Sequence, residues 1–120
     1  MHGSYDRVVE TPAVQVVTTV PDEATAGAIA DALLDARLAA CVQVDGPIRS
    51  RYRWNGAVEE STEHRCTIKT TAAAAERVVT TVRELHPYDV PEILVVPVLD
   101  GDAAYLAWLR AEVGDRREER

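Results

Sequence analysis

The order of apolar segments predicts an α+β sandwich of the ferredoxin-like βαββαβ type, with an extended hairpin between its second and third strands and an extra helix at the C-terminal end. Three observations carry this. Runs of β-branched residues alternate with runs whose apolar positions recur at helical spacing. An Asn55-Gly56 pair sits between two long strand-like runs, where a two-residue turn needs positive φ at both positions. Both helical runs fall between strands, so right-handed crossovers place them on one face of a four-stranded sheet.

Each element has its own signal. Ala13–Val20 is rich in Val and Thr and reads as the first strand. Asp22 follows Pro21 as an N-cap for a helix over 24–38, with Ala26, Ile29, Ala30, Leu33 and Leu34 as its apolar stripe. Cys41–Val44 opens the second strand, Gly46-Pro47 bends it, and it resumes as Ile48–Trp54. The return strand runs from Ala57 towards Thr70. If the turn has two residues, Arg51 lies opposite Glu60, and Arg49, Arg51 and Arg53 share one face as a charge ladder. A second helix spans 72–85 on the stripe Ala75, Val78, Val79, Val82 and Leu85. Ile93–Val98 is the fourth strand, Asp102 caps a last helix through Val113, and Gly114 stops it. The whole chain, 1–120, reads as one domain with an ordered core over about 12–113 and flexible ends at 1–11 and 114–120.

Composition bounds the function. The 120 residues include 20 acidic and 13 basic ones, for a net charge of −7. That balance excludes a general nucleic-acid binder, which carries a basic footprint. No apolar run is long enough to span a bilayer, and the N-terminal stretch lacks a signal peptide's apolar segment, so a cytoplasmic protein is expected. Cys41 and Cys66 form no Cys-x-x-Cys pair, which argues against a structural zinc site. Cys66 reads as core. No Gly-rich phosphate loop and no nucleophile with a supporting oxyanion hole are present, so the chain is not read as an enzyme.

Strands one and four offer apolar side chains to both sheet faces, whereas the two crossover helices cover one. The hairpin is also long for an isolated ribbon. A homo-oligomer that buries the spare face and the hairpin edges answers both.

The segment His86-Pro87-Tyr88-Asp89-Val90-Pro91-Glu92-Ile93 joins the second helix to the fourth strand. Its prolines restrict their own φ and the conformation of the residue before each. A stiff loop therefore presents imidazole, phenol and carboxylate groups. Trp54, Tyr88, Tyr105 and Trp108 are candidates to line a pocket or to pack at an interface. Lys69 is a candidate to meet an anion or to pair with Glu92.

Six segments together resemble the CutA divalent-cation tolerance family: Thr19-Val20-Pro21-Asp22-Glu23, Leu38-Ala39-Ala40-Cys41-Val42, Tyr52-x-Trp54-x-Gly56, Ile68-Lys69-Thr70, His86-Pro87-Tyr88-x-x-Pro91-Glu92-Ile93 and Tyr105-Leu106-x-Trp108-Leu109. The resemblance spans roughly 13–112. It implies a PII-like homotrimer with no enzymatic activity, tolerance of divalent metals, and weak binding of copper or another divalent ion through His86, Glu92 and Cys41. No metal is expected to be required for folding. Metal-rich members of the family carry a Cys where this chain has Thr18 and a second His where it has Leu85, which implies a weak or altered site. Two other readings remain open: a PII-like module that binds a small anionic ligand at subunit clefts through Lys69 and the Pro-bounded loop, and a purely structural trimer.

Overall fold

The computed structural model describes residues 11–114. Its elements are β1 (Ala13–Val20), α1 (Glu23–Asp35), β2 (Cys41–Trp54), β3 (Ala57–Thr71), α2 (Ala75–Leu85), β4 (Ile93–Pro97) and α3 (Ala103–Glu112). The four strands form one antiparallel sheet in the order β2-β3-β1-β4. This is the topology expected of the split βαβ pattern.

Alternation along the strands separates two faces. On one, Val16 and Val20 of β1 and Cys66 and Ile68 of β3 pack against Ala26, Ile29 and Leu33 of α1 and Val78 and Val82 of α2. Each large side chain sealed there contributes about 1.5–3 kcal/mol. Cys66 is core, as its sequence context indicated. The opposite face carries Gln15, Val17 and Thr19 of β1, the odd-numbered residues of β3, and Leu94 and Val96 of β4. Here Leu94 is 54% exposed and Val96 40%. The helix α3 lies against β1 and β3.

Both predicted N-caps form. Asp22 Oδ1 accepts from the Thr25 N–H at 2.8 Å, and Asp102 Oδ2 accepts from the Tyr105 N–H at 3.0 Å. The first helix is shorter than the expected 24–38. Arg37 turns into the left-handed region at φ 58, its N–H returns to Leu34 O, and the Leu38 N–H returns to Leu33 O. This is a Schellman-type ending, sealed by Leu38 and Leu33 in the same core cluster. Leu34 does not belong to the buried stripe and is 43% exposed, because it lies about 140° round the helix from Ile29. The second helix starts at Ala75, not Ala72, because residues 72–74 form a turn in which the Ala74 N–H donates to Thr71 Oγ1. Leu85, in its last turn, is exposed.

The expected flexible ends fall mostly on 1–10 and 115–120, outside the described residues. Thr11 and Gly114 are held, however. Thr11 Oγ1 accepts from the Ala73 N–H at 3.1 Å. The Gly114 N–H donates to Arg37 O at 2.9 Å, and Arg37 Nε donates to Gly114 O at 2.9 Å. The end of α3 is thus fastened to the end of α1.

The β2–β3 hairpin runs well past the body. β1 stops pairing at His64, so the ribbon from Ile48 to Glu63 has no third strand. Asn55 (φ 52) and Gly56 (φ 80) make the two-residue turn, and the register sets Arg51 opposite Glu60 as expected. Between Asp45 and Ile48 the register shifts, which is the bend anticipated at Gly46-Pro47. Gly46 sits at φ 150, where a Cβ would lie 2.7 Å from His64 Cδ2. Only glycine fits there without a shift.

Candidate functional site

The Pro-bounded loop folds over the base of the hairpin and makes one wall of a cleft. His86 closes α2 and is buried. Its Nε2 lies 2.7 Å from Thr19 O, and its Nδ1 accepts from the Tyr88 N–H at 3.2 Å. A ring nitrogen that accepts must be unprotonated, so the network assigns the hydrogen to Nε2, which donates to Thr19 O. The Tyr88 ring stands 4.8 Å from the imidazole, tilted by 53°. Tyr88 then reaches the hairpin, where its hydroxyl donates to Glu63 Oε2 at 3.0 Å. Burial, followed by the bond to Glu63 and its negative charge, pushes the Tyr88 phenol up to about 12, so it stays a donor at neutral pH.

The cleft has a volume of about 650 Å³. Ser50, Tyr52 and Trp54 of β2 and Glu63 of β3 line one side. Tyr88, Asp89, Val90 and Glu92 line the other, with Thr19 between. Glu63 pairs with Ile48 in the ladder, so it shares a face with Ser50, Tyr52 and Trp54. This is the face turned away from α1 and α2. Glu63 is only 6% exposed. Tyr52 is fixed by a 2.7 Å hydrogen bond between its hydroxyl and Ser61 Oγ. Arg51 also borders the cleft but is paired with Glu60, 3.5 Å away. Arg49 lies 3.9 Å from the same carboxylate. These side chains are highly exposed, so the ladder contributes about 0–1 kcal/mol.

The structure brings Trp54, Tyr88 and Glu92 together and sets His86 directly behind them. It does not bring Cys41 there. Cys41 pairs with Lys69, which pairs with Gln15, whereas His86 contacts Thr19. Four residues of strand separate those levels, or about 13 Å. The same spacing keeps Lys69 from Glu92, and among the described residues no ion pair joins them. Tyr105 and Trp108 contact each other on α3, with centroids 5.5 Å apart and planes tilted by 40°, and do not line the cleft. Glu63, Asp89, Thr19 and Ser50 were not singled out from the sequence. Glu63 reads there as one more acidic residue on a charged strand. Only counting the register from Asn55-Gly56 places it opposite Ile48 and beside the aromatic pair.

The donors of this chain do not suit a tightly held soft metal ion. Both nitrogens of His86 are engaged, Cys41 is remote, and Thr18 is fully buried on the core face opposite Cys66. Among the described residues no group of three or more His, Cys, Asp and Glu side chains is disposed to hold a metal.

A family model described as CutA1 divalent ion tolerance protein matches residues 14–112. The chain belongs to the CutA1 family. It is 46% identical over 99 residues to the divalent-cation tolerance protein CutA of Thermus thermophilus, covering 82% of this chain and 96% of that one. The corresponding protein of Pectobacterium atrosepticum is 43% identical over 101 residues, covering 84% and 92%. The crystal structure of CutA from Xylella fastidiosa superposes with a TM-score of 0.84 at 36% identity, covering 87% of this chain and all of that one. No helix among the described residues is long and apolar enough to cross a membrane.

Proposed function

We propose that this CutA1 protein works as a non-enzymatic homotrimer in the cytoplasm that associates weakly with divalent cations along its subunit seams. The observation that carries this is the unshared surface. The ribbon from Arg51 to Glu60 is exposed throughout, and Leu94, Val95 and Val96 lie bare on β4, the edge strand at the other side of the sheet. Such an edge and ribbon are natural sites for pairing between copies. The family's divalent-cation tolerance, together with the carboxylates of Glu92 and Asp89 at the cleft, supports the metal part. A neighbouring copy would supply the donors that one subunit lacks. His86 would act by holding the loop in place, or as a ligand only after giving up one of its hydrogen bonds. Free Cys41 and Cys66 agree with a reducing compartment.

The anionic-ligand reading has less support, because the cleft collects three carboxylates and Lys69 lies elsewhere. Light scattering on the purified chain should give three times the 13.1 kDa subunit mass, and calorimetric titration with Cu²⁺ should show weak binding that falls in Glu92→Gln. A stable species of one subunit's mass would refute the assembly. Tight binding that survives Glu92→Gln would refute the placement of the metal.

A further inference from the structure

Glu63 is a buried carboxylate with no counter-ion among the described residues. Its one hydrogen-bond partner among the described residues is the neutral Tyr88 hydroxyl, and no ion pair among them reaches it. A carboxylate taken out of water is costly unless a cation or several donors meet it. The one basic residue among those lining the cleft, Arg51, is paired with Glu60.

The walls in front of Glu63 are aromatic. Tyr52 and Trp54 stand two residues apart on one strand face, about 7 Å from each other, and Tyr88 faces them from the loop. Ring faces attract a cation placed within about 6 Å of the centroid. Asp89 and Glu92 add negative charge at the loop side. A bare metal ion needs several oxygen or nitrogen ligands converging on one point, which the walls of a single chain do not offer without donors from a neighbouring copy. An alkylammonium group needs a carboxylate at one end and ring faces around its methyl or methylene groups, which they do. The volume of about 650 Å³ lies within the range of small-molecule sites.

We propose that the cleft at the hairpin base is a binding site for a small organic cation carrying a primary or quaternary ammonium group, with Glu63 as its counter-ion and Tyr52, Trp54 and Tyr88 as its walls. The ligand class goes beyond the metal reading, and it is tested without metal.

The experiment is isothermal titration of the full chain, in the presence of a chelator, with choline and with its uncharged carbon isostere 3,3-dimethylbutan-1-ol. Choline should bind saturably and the alcohol should not. Glu63→Gln, which keeps the shape and removes the charge, should weaken choline at least about tenfold, as should Trp54→Leu at its half-exposed position. Circular dichroism on each variant checks that the fold is kept. If Glu63→Gln fails to fold, Trp54→Leu and the isostere decide alone. Three results would overturn the proposal: no saturable choline binding at millimolar concentration, as when a neighbouring subunit's own cationic side chain fills the cleft; equal binding of the alcohol; or unchanged choline affinity in the folded variants.

Discussion

The Tyr88 hydroxyl and the Glu63 carboxylate, 3.0 Å apart, are the hydrogen bond that ties the Pro-bounded loop to the hairpin. Its pH dependence has a definite sign. The folded phenol is pushed up to about 12 from an ordinary 10, so between those values the native state holds a proton that the unfolded chain has released. Stability from this contact is fully present below pH 10 and is lost as pH rises through 12. In urea titrations across that window, the wild-type chain should lose stability relative to Tyr88→Phe. Parallel curves for the two proteins would contradict this.

Gly46→Ala should cost about 1–3 kcal/mol, because the new Cβ meets the His64 ring and the Glu63 carbonyl while the backbone stays at positive φ. The denaturant midpoint reads it. The same change at Gly56, whose Cβ would meet nothing within 4 Å, should cost less.

Thr18→Val should leave stability unchanged or raise it by about 1 kcal/mol. The Thr18 hydroxyl is fully buried with no hydrogen-bond partner among the described residues, and replacing it by a methyl removes an unsatisfied group at similar volume. A clear loss of stability would show that the hydroxyl has a partner in solution, such as an internal water.

Two adjacent leucines separate the faces of α1. Leu33→Ala should cost about 2–5 kcal/mol, since Leu33 is fully buried in the core cluster. Leu34→Ala should fall within about 0.5 kcal/mol unless an oligomer covers it. Thermal unfolding of both variants at low and high protein concentration distinguishes these cases.

Asp102→Ala should cost about 1 kcal/mol by removing the acceptor for the Tyr105 N–H at the start of α3. Asp22, the equivalent cap on α1, has its carboxyl held below the ordinary value by the backbone hydrogen bond from Thr25. Its contribution is present above pH 3.8 and is lost as pH falls through the lowered value. Asp22→Ala should therefore flatten the acid limb of stability.

Much of the fold was legible because local chemistry and tertiary packing agree in it. Ala13–Val20, the turn at Asn55-Gly56, the caps Asp22 and Asp102, and the stop at Gly114 each have a local cause strong enough to read in one dimension. The end of α1 was not legible, because Arg37 adopts a left-handed conformation usually left to glycine. Leu34 and Leu85 fit the helical stripes yet stay exposed, since apolar identity does not reveal which residues the sheet can reach. The cleft was half legible. Its loop is announced by two prolines, but Glu63 joins it only through the strand register, and Cys41 and Lys69 resemble site residues until the register sets them several residues away along the sheet.

The end of the ribbon, Arg51 to Glu60, has strand-to-strand bonds and is exposed throughout, with no buried core residue in it. In a lone subunit its amide protons would trade with solvent far sooner than those of Ile68 or Val16, because opening it breaks no core contact. If another copy clasps it, that exchange slows by as much as the clasp is worth. The backbone around Asn55-Gly56 is therefore a built-in gauge: mass spectrometry in heavy water, read at those few peptides across a dilution series, reports whether copies hold one another and how firmly.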